Sequence, residues 1–348
     1  MWQAGATAYS NTFAQITGQA SNTLLDAAGV HTTPAAATTI VEKVPLALDG
    51  SEKRVLDVAC GPGQVAYVAA ERGVGEVVAL DFSSEMLVAA QPVADAFPGR
   101  VSLVEGDAAA LPFDDRTFDA VVIGFGLLHL PQPQKALDEA FRVLRPGGSV
   151  SFSVWETPVP GTGFQFMLSA VATHGDANVQ LPDVNGAPPL PFFHFADAGN
   201  SRSALEAAGF EGASVARHVV PAHAALASEY ALFKMFATAT ARTRATLEQQ
   251  TPEALEAIKA AVGASVRQCT GPMTADGAHR STSWHAAHAE VPGTEAALHA
   301  STAPGKTFMG GRAPYTVPMP AVRSRRPHAP LAHARRPKVG RAGAPRAW

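Results

Sequence analysis

VLDVACGPGQ, residues 55–64, decides the fold. Its first half is a short apolar run broken only by Asp57, which reads as a buried strand. Its second half is a turn carrying Gly61 and Gly63, followed at once by the helical pattern QVAYVAAERG. Glycine in such a turn lets the backbone double back and come close to a ligand without a Cβ clash. Pro62 fits the opening position of a helix, where its missing N–H loses no hydrogen bond. Strand, glycine turn and helix in this order open a parallel βα unit whose turn faces a bound molecule. The string GPGQVA also satisfies the G-x-G-x-x-A fingerprint, so the turn alone leaves more than one adenosine-bearing cofactor open.

The pattern continues downstream. Further strands are predicted at 77–80, 101–104, 118–123 and 149–154, after a first strand at 55–59. Helices alternate with them: one from Pro62 to near Gly73, and one capped by Ser83 with Glu85 in its first turn. A third spans 134–144, with Leu137, Ala140, Phe141 and Leu144 on one face, and stops at the turn RPGG. Strands separated by helices give an α/β fold with a mostly parallel sheet. Residues 1–50 read as an N-terminal helical cap, with a helix near 14–29, and 51–156 as the cofactor-binding core. Residues 157–268 read as a lid or acceptor region with the rest of the core. That region holds a helix near 164–173, the Pro- and Phe-rich loop QLPDVNGAPPLPFFHFADAGN, a helix at 204–209 and a strand at 213–220. A long loop of this kind is more often a lid or binding loop than a linker. Leu226, Tyr230, Phe233 and Ala237 are expected on one helix face, and Thr251–Pro252 opens a helix bearing Leu255, Ile258 and Val262. Residues 269–348 are atypical and read as partly disordered. Within them 270–312 has no clear role.

Bulk properties narrow the function. The 348 residues hold 27 Lys+Arg against 30 Asp+Glu, a formal charge of −3, which gives no overall pull toward nucleic acid or anionic membrane. Eight basic residues and no acid follow Ala321. Without interleaved aromatics, that stretch reads as a solvated tail rather than a nucleic-acid arm. Cys60 and Cys269, the only cysteines, form no disulfide framework or cysteine metal site, and a reducing, cytoplasmic setting is expected. No signal peptide is legible, the most apolar run, 120–130, is too short to span a membrane, and no set of metal ligands stands out.

Two acids bear on the cofactor. Asp81, in VVALDFSSEML, ends the second strand, where a carboxylate can accept from a ribose diol; nicotinamide enzymes place an acid there too. Asp107, in VEGDAAALPF, ends the third strand and puts a second carboxylate where it can accept from an adenine amine.

These blocks, with FDAVVIGFGLLHLPQP and EAFRVLRPGGSVSFSVWE, resemble the class I S-adenosylmethionine-dependent methyltransferases, in particular the small-molecule group similar to ubiquinone/menaquinone-biosynthesis methyltransferases. The resemblance covers roughly residues 54–156. It implies a Rossmann-like class I methyltransferase fold: a mostly parallel seven-stranded sheet, helices on both faces, a lid insertion after the fifth strand, and a closing antiparallel hairpin whose last strand APYTVPMPAV, 313–322, resembles. It implies S-adenosylmethionine as cofactor and methyl transfer to a small-molecule acceptor, apolar or aromatic, by direct in-line displacement. Ala59, Cys60, Gly61 and Gly63 would line the methionine end, and Asp81 would bind the ribose. Phe82 and Met86 would flank the adenine, Asp107 and the Ala108 amide would read its edge, and Gly124 and Phe125 would sit near the sulfonium. Ala59 departs from the family pattern by standing where the first glycine usually does. The alternatives are a non-catalytic protein that binds the cofactor or its demethylated product, and an NAD(P)-dependent reductase.

Three side chains carry competing roles. Asp57 is expected to orient the glycine loop by accepting backbone N–H groups, and Cys60 to be a small neutral wall rather than a nucleophile. His129 is the candidate general base, set against a histidine satisfied by its own loop. His194, His218 and His223 are weaker candidates. Trp155, Phe164, Phe166, Phe192, Phe193 and Phe195 are expected either to form an acceptor pocket or to pack the lid.

Overall fold

The computed structural model describes residues 5–31, 52–176, 178–179, 190–222, 230–270 and 280–292. The chain opens with helices α1 (Ala6–Ser10), α2 (Phe13–Thr17) and α3 (Ser21–Ala27). The core then alternates β1 (Arg54–Val58), α4 (Gln64–Glu71), β2 (Glu76–Asp81), α5 (Ser84–Ala96), β3 (Val101–Glu105), β4 (Phe118–Gly124), α6 (Pro133–Val143) and β5 (Leu144–Trp155). After it come α7 (Gly163–His174), α8 (Ala198–Ala207), β6 (Glu211–Ala222), α9 (Ala231–Ala239), α10 (Ala241–Leu247), α11 (Pro252–Thr270) and β7 (Arg280–Glu290).

The seven strands form one sheet in the order β3-β2-β1-β4-β5-β7-β6, parallel throughout except for β7, which runs antiparallel to both neighbours. In β1, Val55, Leu56, Asp57 and Val58 are all at most 1% exposed. Successive strand residues point to opposite faces, so both faces of the sheet are covered, as a parallel strand requires. The order reverses between β1 and β4, and the crevice beyond their carboxyl ends is where an open α/β sheet binds ligands.

The five core strands lie within a few residues of their predicted positions, except that β5 begins at Leu144 and takes in the RPGG segment expected to be a turn. Leu144 pairs with Phe118, and the register slips between Phe118 and Ala120, so the ladder absorbs the glycines in an irregularity. Residues 313–322 lie outside the described residues. The strand that closes the sheet between β5 and β6 is β7, drawn from the segment for which no role was legible. The face of α9 is also offset from expectation. Leu232, Phe236 and Ala239 are buried and Tyr230 is 40% exposed, because Phe236 is held edge-on by Phe13 at 5.3 Å and Phe164 at 4.9 Å.

The N-terminal helices are fastened to the core. Arg72, 7% exposed, donates to the Asp26 carboxylate at 2.6 Å, to the Val30 carbonyl, and to the Asn22 side chain at 2.7 Å. Ser151 on β5 donates to the Leu24 carbonyl at 2.8 Å.

Candidate functional site

At the end of β1 the chain turns through two left-handed residues, Ala59 (φ 53°) and Gly61 (φ 54°), to Gly63 (φ 84°), which precedes α4. Ala59 bears its methyl group in a conformation that favours glycine. The space it needs comes from Gly126, where an added Cβ would fall 2.7 Å from the Ala59 methyl. A Cβ on Gly63 would press to 3.3 Å from Val93 on α5.

Asp81 ties this turn to the next strand. One of its oxygens accepts the Gly61 N–H at 2.8 Å and the other accepts the Ser83 N–H at 2.9 Å, and burial raises its pKa above the usual carboxylate value. The Phe82 backbone is a third donor to this carboxylate, which leaves about one of its four lone pairs for a ligand. Phe82, beside it, is 72% exposed. Ser83 caps α5 by accepting the Met86 N–H at 3.3 Å, and Met86 itself is buried. Asp107 follows β3 in an exposed turn, where its carboxylate accepts the Ala109 N–H at 2.8 Å, and Ala108 is buried beside it. Gly124 closes β4. Ala59, Cys60, Gly61, Asp81, Asp107 and Gly124 thus gather along one edge of the sheet, on both sides of the switch point.

Asp57 lies beneath the turn. Its Oδ2 accepts the Ala66 N–H of α4 at 3.0 Å, so it anchors the helix rather than the glycine loop, while its Oδ1 is buried without a hydrogen bond. Burial pushes the Asp57 carboxyl up to about 8. An orphaned carboxylate oxygen next to a glycine turn suits a ligand that brings positive charge. Burial also raises the Cys60 thiol well above its usual range, which keeps it protonated and unreactive.

A cavity of about 420 Å³ opens beside this edge. Tyr9 links the two: its ring lies 3.9 Å from where a Gly61 Cβ would stand, and it lines the cavity. Burial pushes the Tyr9 phenol up to about 12, so it stays neutral. The expected aromatic group divides. Trp155, Phe164, Phe192 and Phe193 line the cavity, whereas Phe166 and Phe195 are buried and take no part in its wall beyond packing, Phe195 against Phe152 at 6.2 Å. Phe125, left-handed at φ 52°, also lines it, with its N–H donating to Ser153 at 3.0 Å and its ring 4.3 Å from that of Trp155.

His129 lies in the cavity wall, edge-on to Phe192 at 5.5 Å. Burial, and next the positive charge of Arg242, push its pKa down to about 3. His194 meets Phe195 edge-on and His218 lies on β6 near His285, both away from the cavity, and His223 lies outside the described residues. Sequence reasoning missed Tyr9, Phe13, Phe236 and Arg242. Tyr9 and Phe13 sit at helical spacing in the N-terminal cap, a weak signal, and nothing in ATARTRATL distinguishes Arg242 from its neighbours.

Residues 55–148 match the family profile described as "Methyltransferase domain". Its span runs from the first residues of the glycine-turn strand into β5 and contains every group on the sheet edge described above. Among curated relatives, the chain is similar to the demethylmenaquinone methyltransferase of Thermus thermophilus, at 46% identity over 34% of this chain and 54% of that one. It is also similar to the ubiquinone/menaquinone biosynthesis C-methyltransferase of Roseobacter denitrificans, at 46% identity over 28% and 40%. The chain spans about half the length of the curated relatives it matches. Among solved structures, it is similar to an arsenic(III) S-adenosylmethionine methyltransferase from Chlamydomonas reinhardtii, at 18% identity, 72% and 67% coverage and a TM-score of 0.39. No helix among the described residues is long and apolar enough to cross a membrane.

Proposed function

We propose that the protein transfers a methyl group from S-adenosylmethionine to an aromatic small-molecule acceptor held in the cavity beside the glycine turn. The observation that supports this best is the position of Tyr9, whose ring stands near Gly61 and also lines the cavity, beside a turn suited to a cationic cofactor. When bound, S-adenosylmethionine supplies an electrophilic methyl group on a cationic sulfur, and in-line displacement by the acceptor atom leaves S-adenosylhomocysteine and a proton.

The chain's own residues bind and align. Asp81 would accept from the ribose hydroxyls, and Phe82, exposed as it stands, would be covered by the adenine that it and Met86 flank. Asp107 and the Ala108 amide would read the adenine edge. Ala59, Cys60, Gly61 and Gly63 would receive the methionine end, with the orphaned Asp57 oxygen beneath it as a counter-charge. Gly124 and Phe125 would border the reacting centre. His129 serves as a neutral hydrogen-bonding wall: a base works best with a pKa near the working pH, and one near 3 is far from it. Positioning and exclusion of water would then supply most of the rate.

The test is calorimetric titration with S-adenosylhomocysteine, followed by transfer of labelled methyl from S-adenosylmethionine to a panel of phenols and quinols. Labelled product is the expected outcome. Absence of binding by either cofactor form would overturn the assignment, and tight binding with no transfer to any acceptor would favour a cofactor sensor.

A further inference from the structure

Arg242 stands in the cavity as a charged group that the methyl-transfer chemistry does not use. It lies in the first turn of α10, half-buried, and faces walls that are mostly aromatic. Its Nη1 donates to the Leu190 carbonyl at 3.0 Å, and its guanidinium carbon lies 5.7 Å from the centroid of the Phe192 ring. Those contacts fix the plane of the guanidinium and leave most of its five N–H donors uncommitted. Among the described residues, no carboxylate comes within ion-pair distance of it.

Among the described residues that line the cavity, none supplies a counter-charge. His129 and Tyr9 are both neutral at ordinary pH, the first held down and the second held up by burial. The Thr240 hydroxyl is spent on the Phe236 carbonyl at 2.8 Å, and that of Thr246 on the Arg242 carbonyl at 3.1 Å. Burial lowers the Arg242 pKa, as expected of a cation that has lost hydration and has only a carbonyl and a ring beside it among the described residues. A positive charge among aromatic walls, with its donors pre-aligned, is a receptor for an anion.

We propose that Arg242 anchors the acceptor, pairing with an anionic oxygen carried on an aromatic ring, either a ring carboxylate or an ionised phenol, and so sets which acceptors are taken. The proposal rests on the methyltransferase reading for the word acceptor, but the anion preference is measured without the cofactor. Neutral aromatics of the same shape would fill the cavity and leave the guanidinium unpaired, which is the basis of the discrimination.

The test is calorimetry on the full chain with 2-naphthoate, its neutral isostere 2-naphthamide, and 4-nitrophenol above and below its ionisation. Each is run with and without S-adenosylhomocysteine. The expected result is that 2-naphthoate binds roughly 10- to 100-fold more tightly than the amide, the range of one charge-assisted pair. Arg242→Gln should erase that ratio while leaving affinity for 2-naphthamide and for S-adenosylhomocysteine unchanged. Arg242→Lys should retain part of the ratio, since it keeps the charge but loses the fork. Tighter binding of 4-nitrophenolate than of 2-naphthoate identifies a phenol-type acceptor, and the reverse order a carboxylate. Equal affinity for naphthoate and naphthamide, or a preference that survives Arg242→Gln, overturns the anchor. Loss of S-adenosylhomocysteine binding alone would instead strike the methyltransferase reading and leave the anchor standing.

Discussion

Replacing Asp57 by Asn isolates the most unusual electrostatic feature of the glycine turn. Asn keeps an oxygen to accept the Ala66 N–H and the same shape, and removes only the capacity to ionise. In the folded chain burial disfavours the charge and pushes the carboxyl up to about 8, against the usual carboxylate value of 3.8. A folded pKa raised above the unfolded one means that the folded state holds the proton more tightly. Stability is therefore full below the unfolded value and is lost as pH rises through the folded one. The whole difference corresponds to up to about 6 kcal/mol, of which about 4 kcal/mol falls between pH 5 and pH 8. For a domain of this size that is on the order of 10 °C in Tm. Scanning calorimetry from pH 5 to pH 9 should show the wild-type Tm falling relative to that of Asp57→Asn along this range, with both curves sharing the rise that buried His129 contributes below its unfolded pKa of 6.5. A cationic ligand at the turn reverses the sign locally. Near pH 7 wild-type protein should release a proton when it binds S-adenosylmethionine, measured by calorimetry in two buffers of different ionisation enthalpy, and the variant should not. Parallel Tm curves for the two proteins would refute the reasoning, because they would mean that the Asp57 carboxyl is charged throughout.

Other substitutions test other links. Asp81→Ala should weaken S-adenosylhomocysteine binding by roughly 10- to 100-fold, the loss of a charge-assisted pair, and unchanged affinity by calorimetry would place the ribose elsewhere. Gly126→Ala should destabilise the chain by about 1–3 kcal/mol, since the new methyl collides with that of Ala59, and Ala59→Gly in the same chain should recover much of the loss. Additive losses in that double variant, read by urea denaturation, would contradict the paired packing. Arg72→Ala should cost about 1–3 kcal/mol by leaving the Val30 carbonyl and the Asn22 acceptors without their donor and loosening the N-terminal helices, and limited proteolysis should then cut early between α1 and α3. Protection as strong as in wild type would show that Ser151 and apolar packing hold the cap without it.

The core was legible because its signals are local. Strand, glycine turn and capped helix are each written in fewer than about fifteen consecutive residues, and parallel pairing follows from their alternation. Asp81 and Asp107 could be assigned to strand ends for the same reason. The cavity was legible only in part. Trp155, Phe164, Phe192 and Phe193 announce themselves as a cluster of aromatics, but whether such residues line a space or fill one depends on partners far along the chain. Phe195 fills and Phe192 lines, though they stand three positions apart. The closing strand was missed because RSTSWHAAHAE has few β-branched residues and takes its pairing from β5 and β6 rather than from its own propensity. His129 was found, but its role turns on burial and on Arg242, a residue more than a hundred positions away.

The division between legible and illegible parts follows the division of labour in the molecule. The segment matched as a methyltransferase domain, 55–148, holds the groups assigned to the cofactor. Of the cavity residues, only Phe125 and His129 fall inside it. Tyr9 and Phe13 come from α1 and α2, Phe164 from α7, Phe192 from the segment before α8, and Phe236 and Arg242 from α9 and α10. A sheet with its switch point between β1 and β4 fixes one ligand to the strand ends and leaves the opposite wall to whatever segments cross above it. Similarity to quinone-pathway enzymes over that segment therefore bears on the donor side and not on the acceptor. Exchanging the wall residues, Arg242 first, should change which molecule is taken while leaving affinity for S-adenosylhomocysteine unchanged. A chain in which Arg242→Gln altered cofactor affinity as strongly as Asp81→Ala would show that the two sites are not separable in this way.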